Sequence, residues 1–405
     1  MQKGSPDVST TRRVSDLDWR VILCLCSPPV LVVVLLAIVA LSSSFLFRSP
    51  FTYSPSPPND RTTSRIAVCL VGGARRFELT GPSILVNILN LYPHADLFLH
   101  SPLDSNSFKL SILKASPRIA SVRIFRPHDI PPSSSQERVL SPMNSPNGIQ
   151  GLLQYFNLVE GCLTMIQAHQ SRENFTFDWV IRTRVDSFWN GPLRPENFIK
   201  GRYLVPSGSS YGGLNDRLGI GDYNTSAVAL SRLSMIPEID AAGFHMMNSE
   251  ASFKAQLAVR GVPPVAKRIP FCIISDRRYD FPPKGFGVPV AAISSAGPLS
   301  GMKCRPCKAA CDGECVGAVM KSLNRDWSWS ESGNGSVRLC DAHGEWESGW
   351  ESEFDRVGGQ KLAGERKRVK RMKVDECIRD FVEMRRRAAR WESPPVEDIC
   401  KLGIL

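Results

Sequence analysis

The sequence lacks most of the short motifs that betray a chemistry. It has no GxSxG nucleophile elbow, no HExxH pair, no P-loop and no GxGxxG turn. Its 6 histidines are scattered, with no spacing that puts two on one metal. No segment recurs at a fixed period, which excludes collagen-like, coiled-coil and solenoid architectures. Charged residues make up 22% and hydrophobic residues 42%, values of a globular chain, which argues against wholesale disorder. A length of 405 residues allows one large domain or two ordinary ones.

Acidic charge is short overall, leaving a net +11, but the imbalance is local. Residues 361–390 hold 12 Lys/Arg against 5 Asp/Glu, so this segment carries +7 of the +11. The basic balance therefore says little about nucleic-acid binding by the rest of the chain.

Residues 21–47 contain no charge and centre on VLVVVLLAIVAL. The stretch is long enough to cross a bilayer of ~30 Å as a helix. Its length and the polar tail before it read as an anchor rather than a cleaved signal peptide. Lys3, Arg12, Arg13 and Arg20 precede it, and Arg48, Arg61 and Arg65 follow, a slight bias towards a cytosolic N-terminus. Sequons at Asn174, Asn224 and Asn334 lie after the span, as do ten of the 12 cysteines, which suits a disulfide-forming lumenal compartment.

The expected organisation is a cytoplasmic tail over 1–20, a transmembrane helix over 21–47, and a Pro/Ser/Thr-rich stem over 48–64. An α/β domain over 65–300, a Cys-rich module over 301–345 and a basic, partly helical segment over 346–405 follow. The apolar run IAVCLV (66–71) before Gly72-Gly73 reads as a buried parallel strand and its turn. Further strands are expected at 96–100, 122–125, 177–189 and 203–205, with helices over 83–92, 149–166 and 250–259, and a loop over 131–148. Strands alternating with helices predict a mostly parallel sheet covered on both faces.

Four segments carry candidate site residues. In the strand WVIRTRVD, alternation puts Trp179, Ile181, Thr183 and Val185 on one face, and Val180, Arg182, Arg184 and Asp186 on the other. Three charges on one strand face must be paired or meet a ligand. Asp186 falls at the carboxyl end, where open α/β sheets bind ligands, and can hold a divalent cation or a ribose. Arg182 and Arg184 can meet phosphate or pair with carboxylates. The turn Gly72-Gly73-Ala74-Arg75-Arg76 offers close backbone approach and positive charge, fitting a nucleoside diphosphate; a plain tight turn has the same composition. YGGLNDRLGIGD (211–222) supplies Asp216 and Asp222 in a glycine-rich loop that can line a sugar or metal site. Glu250 opens a helix, as a partner of the helix dipole or as a catalytic carboxylate. Cys304, Cys307, Cys311 and Cys315 are dense enough for zinc, but without a second pair at the longer spacing disulfides are favoured.

RIAVCLVGGARRFELTGPSI, WVIRTRVDSFW and GGLNDRLGIGD together resemble a plant family of single-pass membrane proteins with a domain of unknown function. That family is itself similar to GT-A nucleotide-sugar glycosyltransferases. The R-x-R-x-D strand is also similar to that of bacterial lipopolysaccharide-core glycosyltransferases. The resemblance covers about residues 65–289. It implies a GT-A-like sheet in a Golgi or other secretory-membrane protein of type II orientation. It implies a nucleotide-sugar donor held by Gly72, Gly73, Arg75, Arg76, Arg182, Arg184 and Asp186, and a glycan or glycoconjugate acceptor. Asp186 then stands where the GT-A Asp-x-Asp ends, as the ligand of a Mn²⁺ or Mg²⁺ ion. Arg184-Val185-Asp186 supplies one carboxylate rather than two, so Arg184 can replace part of the metal's charge. Asp216, Asp222 and Glu250, in that order, are the candidate bases.

Two other readings remain open. One is a catalytically silent, membrane-anchored binding or scaffold protein on the same fold. It is told from an enzyme by whether Arg182, Arg184, Asp186 and Asp216 converge on one open pocket. The other is nucleic-acid or lipid binding through 361–390, which requires that segment to be cytosolic.

Overall fold

Ile66–Val71 (β1) is fully buried, as a chargeless run at the centre of a sheet must be. In this computed structural model, which describes residues 64–143, 145, 147–281, 283, 287–323 and 336–404, β1 pairs in parallel with Asp96–Pro102 (β2) and Trp179–Arg184 (β4). Ile119–Phe125 (β3) extends the sheet beyond β2, again in parallel. Past β4 the direction changes. Leu218–Asp222 (β7) is antiparallel to β4, and Tyr203–Pro206 (β6) is antiparallel to β7. Pro264–Lys267 (β8) closes that edge parallel to β6. At the other edge Ala388–Glu392 (β12) pairs with β3, giving the order β12-β3-β2-β1-β4-β7-β6-β8. This is a mixed α/β fold with a mostly parallel eight-stranded sheet.

Helices cover both faces. On one, Phe77–Ile84 (α1) packs over Ile66, Val68, Leu70 and Ile181. It is joined there by Val374–Arg387 (α9) and Val396–Gly403 (α10). On the other, Gly148–Glu173 (α3), Tyr223–Leu230 (α4) and Ser249–Val259 (α6) pack over Ala67, Cys69, Val71 and Val180. The alternation read along β4 is therefore the division between two cores. Short helices at Ser134–Val139 (α2) and Ile236–Ala241 (α5) flank α3 and α6.

Three expectations differ from the structure. The first helix starts at Phe77 rather than 83 and continues as a π turn over Leu85–Leu89. Pro82 lies inside this helix. In the fold the Phe77 ring lies where a Gly81 Cβ would be, at 2.7 Å. Residues 131–148, expected as loop, contain α2, which Ser133 starts with a capping box closed by Gln136. The long strand over 177–189 is two strands, because Val185-Asp186 turns the chain into a second sheet.

That second sheet runs β10-β11-β9-β5 and consists of Ser187–Trp189 (β5), Phe271–Ile274 (β9), Val290–Ala292 (β10) and Lys303–Arg305 (β11). It has its own core, to which Glu314–Ser322 (α7) and the first half of Trp350–Lys370 (α8) contribute. Gly359, at φ 70°, kinks α8. The described residues belong to one compact unit, and β11 and β12 build the Cys-rich stretch and the C-terminal segment into the two sheets.

Ten cysteines form five disulfides: Cys69–Cys162, Cys272–Cys304, Cys307–Cys340, Cys311–Cys315 and Cys377–Cys400. The four closely spaced cysteines are thus all oxidised, which removes them as zinc ligands. No helix among the described residues is long and apolar enough to cross a membrane. The expected tail, span and stem over 1–63 lie outside those residues, as does Asn334. Asn174 and Asn224 are both exposed.

Candidate functional site

The carboxyl ends of β1 and β4 lie side by side, with Val71 opposite Arg184. The Gly72–Arg76 turn and the Arg184–Asp186 turn therefore leave the sheet together. Val185 N–H donates to the Val71 carbonyl at 3.0 Å, and the Thr80 hydroxyl of α1 donates to the Val185 carbonyl at 2.6 Å. Gly72 sits at φ 122°, a conformation that favours glycine, and a Cβ on it would meet Val185 at 3.0 Å. These turns open on a cavity of about 890 Å³, within the usual size range of small-molecule sites.

Because β7 is antiparallel, its first residues reach the same rim, bringing Asp216 and Arg217 beside the β4 turn. The second sheet supplies Ile274 at the end of β9, the Ser275, Asp276 and Arg277 that follow it, and Lys303 on β11. The N-terminus of α6 adds Ser249 and Glu250. The glycines of 211–222 serve packing. A Cβ on Gly213 would lie 2.0 Å from the Glu250 carbonyl group, so only glycine lets the loop dock against α6. Leu214 N–H donates to the Glu250 carbonyl at 3.1 Å, and Asn248 Nδ2 donates to the Tyr211 carbonyl at 3.0 Å. Gly219 and Gly221 make room for the Tyr203 ring.

Of the residues singled out in the sequence, Gly72, Gly73, Arg75, Arg76, Arg184, Asp186, Asp216 and Glu250 all line this cavity. Arg182 does not. It is 1% exposed beneath the floor, where its guanidinium donates to the Asp216 carbonyl and to Tyr155 Oη. Asp222 is at the opposite end of the sheet. It pairs in register with Trp179 at the start of β4, caps α4 through Thr225 N–H at 2.9 Å, and accepts from Gly201 N–H at 2.6 Å. The antiparallel course of β7 separates Asp216 from Asp222 by the length of the strand. Asp222 is a helix cap remote from the site.

Three carboxylates in or beside the cavity have cationic partners. Asp186 accepts both ends of a bidentate Arg184 fork, at 2.8 and 2.7 Å. Burial pushes its carboxyl upward, but the pull of Arg184, Lys303 and Arg217 more than reverses this and leaves it at about 2. Asp216 accepts from the Ser249 hydroxyl at 2.6 Å and faces the buried Arg232 at 3.5 Å. Burial opposes its ionisation, and Arg232 and Arg182 together hold it below the usual carboxylate range. Arg232 is drawn down by the same burial, yet a guanidinium starts so high that it stays charged. Its plane lies 4.2 Å from the Phe156 ring centroid. Asp276 accepts from Arg76 at 2.8 Å, and that guanidinium stacks on Trp346 at 4.1 Å.

The remaining charges are less balanced. Arg75, Arg217, Arg277 and Lys303 line the cavity with no carboxylate in ion-pair range among the described residues. Of the carboxylates that line the same cavity, Asp104 and Glu250 have no ion-pair partner among the described residues. Burial, then the nearby Asp216 charge, raises Glu250 to about 7. A carboxyl in that range shares its time between acid and base at neutral pH, as general acid–base catalysis requires.

The donor set does not fit a divalent cation. Both Asp186 oxygens are engaged by Arg184, and no group of three or more His, Cys, Asp or Glu among the described residues could hold a metal ion.

Sequence reasoning missed Arg217, Arg277 and Lys303. Arg217 lies inside a loop singled out for its carboxylates. Arg277 follows a strand, β9, that was not expected from the sequence, and Lys303 lies in the stretch read only as a disulfide module, so no local signal marks them.

Residues 61–405 match the family described as Domain of unknown function (DUF7796), and the chain belongs to that family. No curated protein matches the chain.

Proposed function

We propose that the cavity binds a nucleoside-diphosphate sugar and that the protein is a glycosyltransferase acting on a glycan or glycoconjugate acceptor, anchored in a Golgi or other secretory membrane by residues 21–47. One observation carries this reading: four basic residues without carboxylate partners among the described residues share one cavity, at the carboxyl ends of β1 and β4, with a carboxyl at about 7. In the proposed reaction an acceptor oxygen attacks the anomeric carbon and its proton passes to Glu250. A new C–O bond forms, the bond from that carbon to the phosphate oxygen breaks, and the diphosphate leaves with the electron pair. Arg75, Arg217, Arg277 and Lys303 offset the charge that collects on the leaving group, which is the main electrostatic task of such a step. No metal ion is assigned a part.

A second reading, a silent binding protein, is favoured by the Arg184–Asp186 and Asp216–Arg232 pairs, which satisfy each other without a ligand. Calorimetric titration of the full-length chain with UDP- and GDP-sugars separates the two. Saturable binding, with transfer to an acceptor that Glu250→Gln abolishes, supports the enzyme. Saturable binding with no turnover on any acceptor, or no binding by the folded protein, sinks the enzyme and supports the silent binding or scaffold reading.

A further inference from the structure

Among the cavity's cations, Lys303 stands apart. Its backbone is locked at the middle of the second sheet, in register with Ile273 of β9 and Val290 of β10. The next residue, Cys304, is bonded to Cys272. Lys303 is half-buried and faces the cavity, and its amine has no hydrogen-bond or ion-pair partner among the described residues. The other partly buried cations near it are engaged: Arg184 grips Asp186, and Arg217 donates to the Gly301 carbonyl at 2.6 Å. An amine without a partner in such a place, once protonated, has an unfilled demand for an anion.

We propose that Lys303 is the residue that receives the phosphate of the ligand, so that the Cys-rich module completes the binding site. This rests on the reading of the cavity as a nucleoside-diphosphate site. The charged groups that face Lys303 are Arg184 and Asp186 from the β4 turn, Arg217 from the start of β7, and Arg277 from the end of β9. Burial, followed by Arg217 and Arg184, pushes the amine well below its ordinary value, and Asp186 offsets only part of this. A phosphate dianion entering this group reverses the balance and draws the amine back up. Binding is then accompanied by proton uptake from solvent onto Nζ, with no bond of the ligand changed.

The test is calorimetric titration of the full-length chain with UDP, then GDP, at about pH 8.5, where the terminal phosphate is already ionised. Two buffers of different ionisation heat report the protons exchanged. Wild-type protein and Glu250→Gln are expected to bind with net proton uptake. Lys303→Met should weaken binding roughly 10- to 100-fold, the loss of one charged hydrogen bond. Lys303→Arg, which keeps a permanent charge, should recover most of the affinity and bind without proton uptake. A stem that merely packs would give the opposite order, with Met tolerated and Arg not. Unchanged affinity in Lys303→Met, or uptake that persists in Lys303→Arg, overturns the assignment. The wild-type proton count stands by itself if a variant fails to fold. Failure of the wild type to bind either nucleotide would instead remove the phosphate site, and this inference with it.

Discussion

Glu250 and Asp186 show how the same cavity moves two carboxyls in opposite directions. Glu250 is pushed to about 7 by burial and by Asp216. It titrates at about 4.5 in the unfolded chain, so its folded form prefers the proton. Stability is therefore greatest at low pH and declines as pH rises from about 4.5 through 7. Glu250→Gln is expected to unfold at higher denaturant concentration than wild type above pH 7, by up to about 2–3 kcal/mol, with the difference vanishing near pH 4. If Glu250 is the base, the same variant should lose roughly 10²–10⁴-fold in turnover while still binding donor, and the wild-type rate should rise with pH through about 7. Asp186 is the reverse case. Its folded value of about 2 lies below the unfolded one, so its contribution is present above about pH 4 and lost as pH falls towards 2. Arg184→Met should cost about 2 kcal/mol near neutral pH and little near pH 2, read as denaturant midpoints across that range. The pairing of Arg184 with Asp186 was open in the sequence, since a three-residue R-x-D allows ligand or partner equally. Only the turn at Val185 brings the two heads together.

At the scale of elements, the glycine-rich loop is the instructive case. Its composition points to a flexible loop lining a sugar or metal, yet Gly213 is there because the loop presses on the first turn of α6. Gly213→Ala should displace the N-terminus of α6 and with it Glu250 and Ser249. A loss of about 2 kcal/mol or more is expected, seen as a lowered melting temperature together with a shifted pH–rate profile. β11 is the second case. Its disulfide to β9 holds Lys303 against the cavity, so the paired change Cys272→Ser and Cys304→Ser should weaken nucleotide binding more than it lowers the melting temperature. Neither dependence has a local signature. The residues that meet are separated by tens of positions, and the alternation or spacing around each looks like ordinary loop or strand.

For the whole molecule, the basic C-terminal segment changes meaning. Arg368 pairs with Glu365, Glu376 and Asp380, and Arg366 with Asp355. Arg387 donates to the carbonyls of Lys114, Ser116 and Pro117. Arg366 and Arg368 thus tie α8 to itself and to α9, Arg387 fastens α9 to the first half of the fold, and Phe381, Met384 and Cys377 of α9 enter the main core. Cys377→Ser with Cys400→Ser is expected to cost about 2–4 kcal/mol by denaturant unfolding. Ending the chain at residue 373 should leave the β3 edge bare and the domain unable to fold, assayed by proteolysis.

What the sequence determined by itself is what depends on neighbours along the chain. Ile66–Val71 is a buried strand because it has no charge to place elsewhere. β4 divides its residues between two cores because side chains alternate. The turn after β1 and the end of β4 are marked as ligand positions because strand ends are where an α/β sheet puts its ligand-facing residues. What the tertiary structure decided is what depends on direction and on distance between segments. The antiparallel course of β7 keeps Asp216 and sends Asp222 to the far end of the sheet. The crossing into a second sheet at Asp186 brings Arg277 and Lys303 to the cavity. The value of about 7 at Glu250 arises from burial and from Asp216, 34 residues away in sequence. Electric fields and exclusion of water act through space, and no reading along the chain contains those distances.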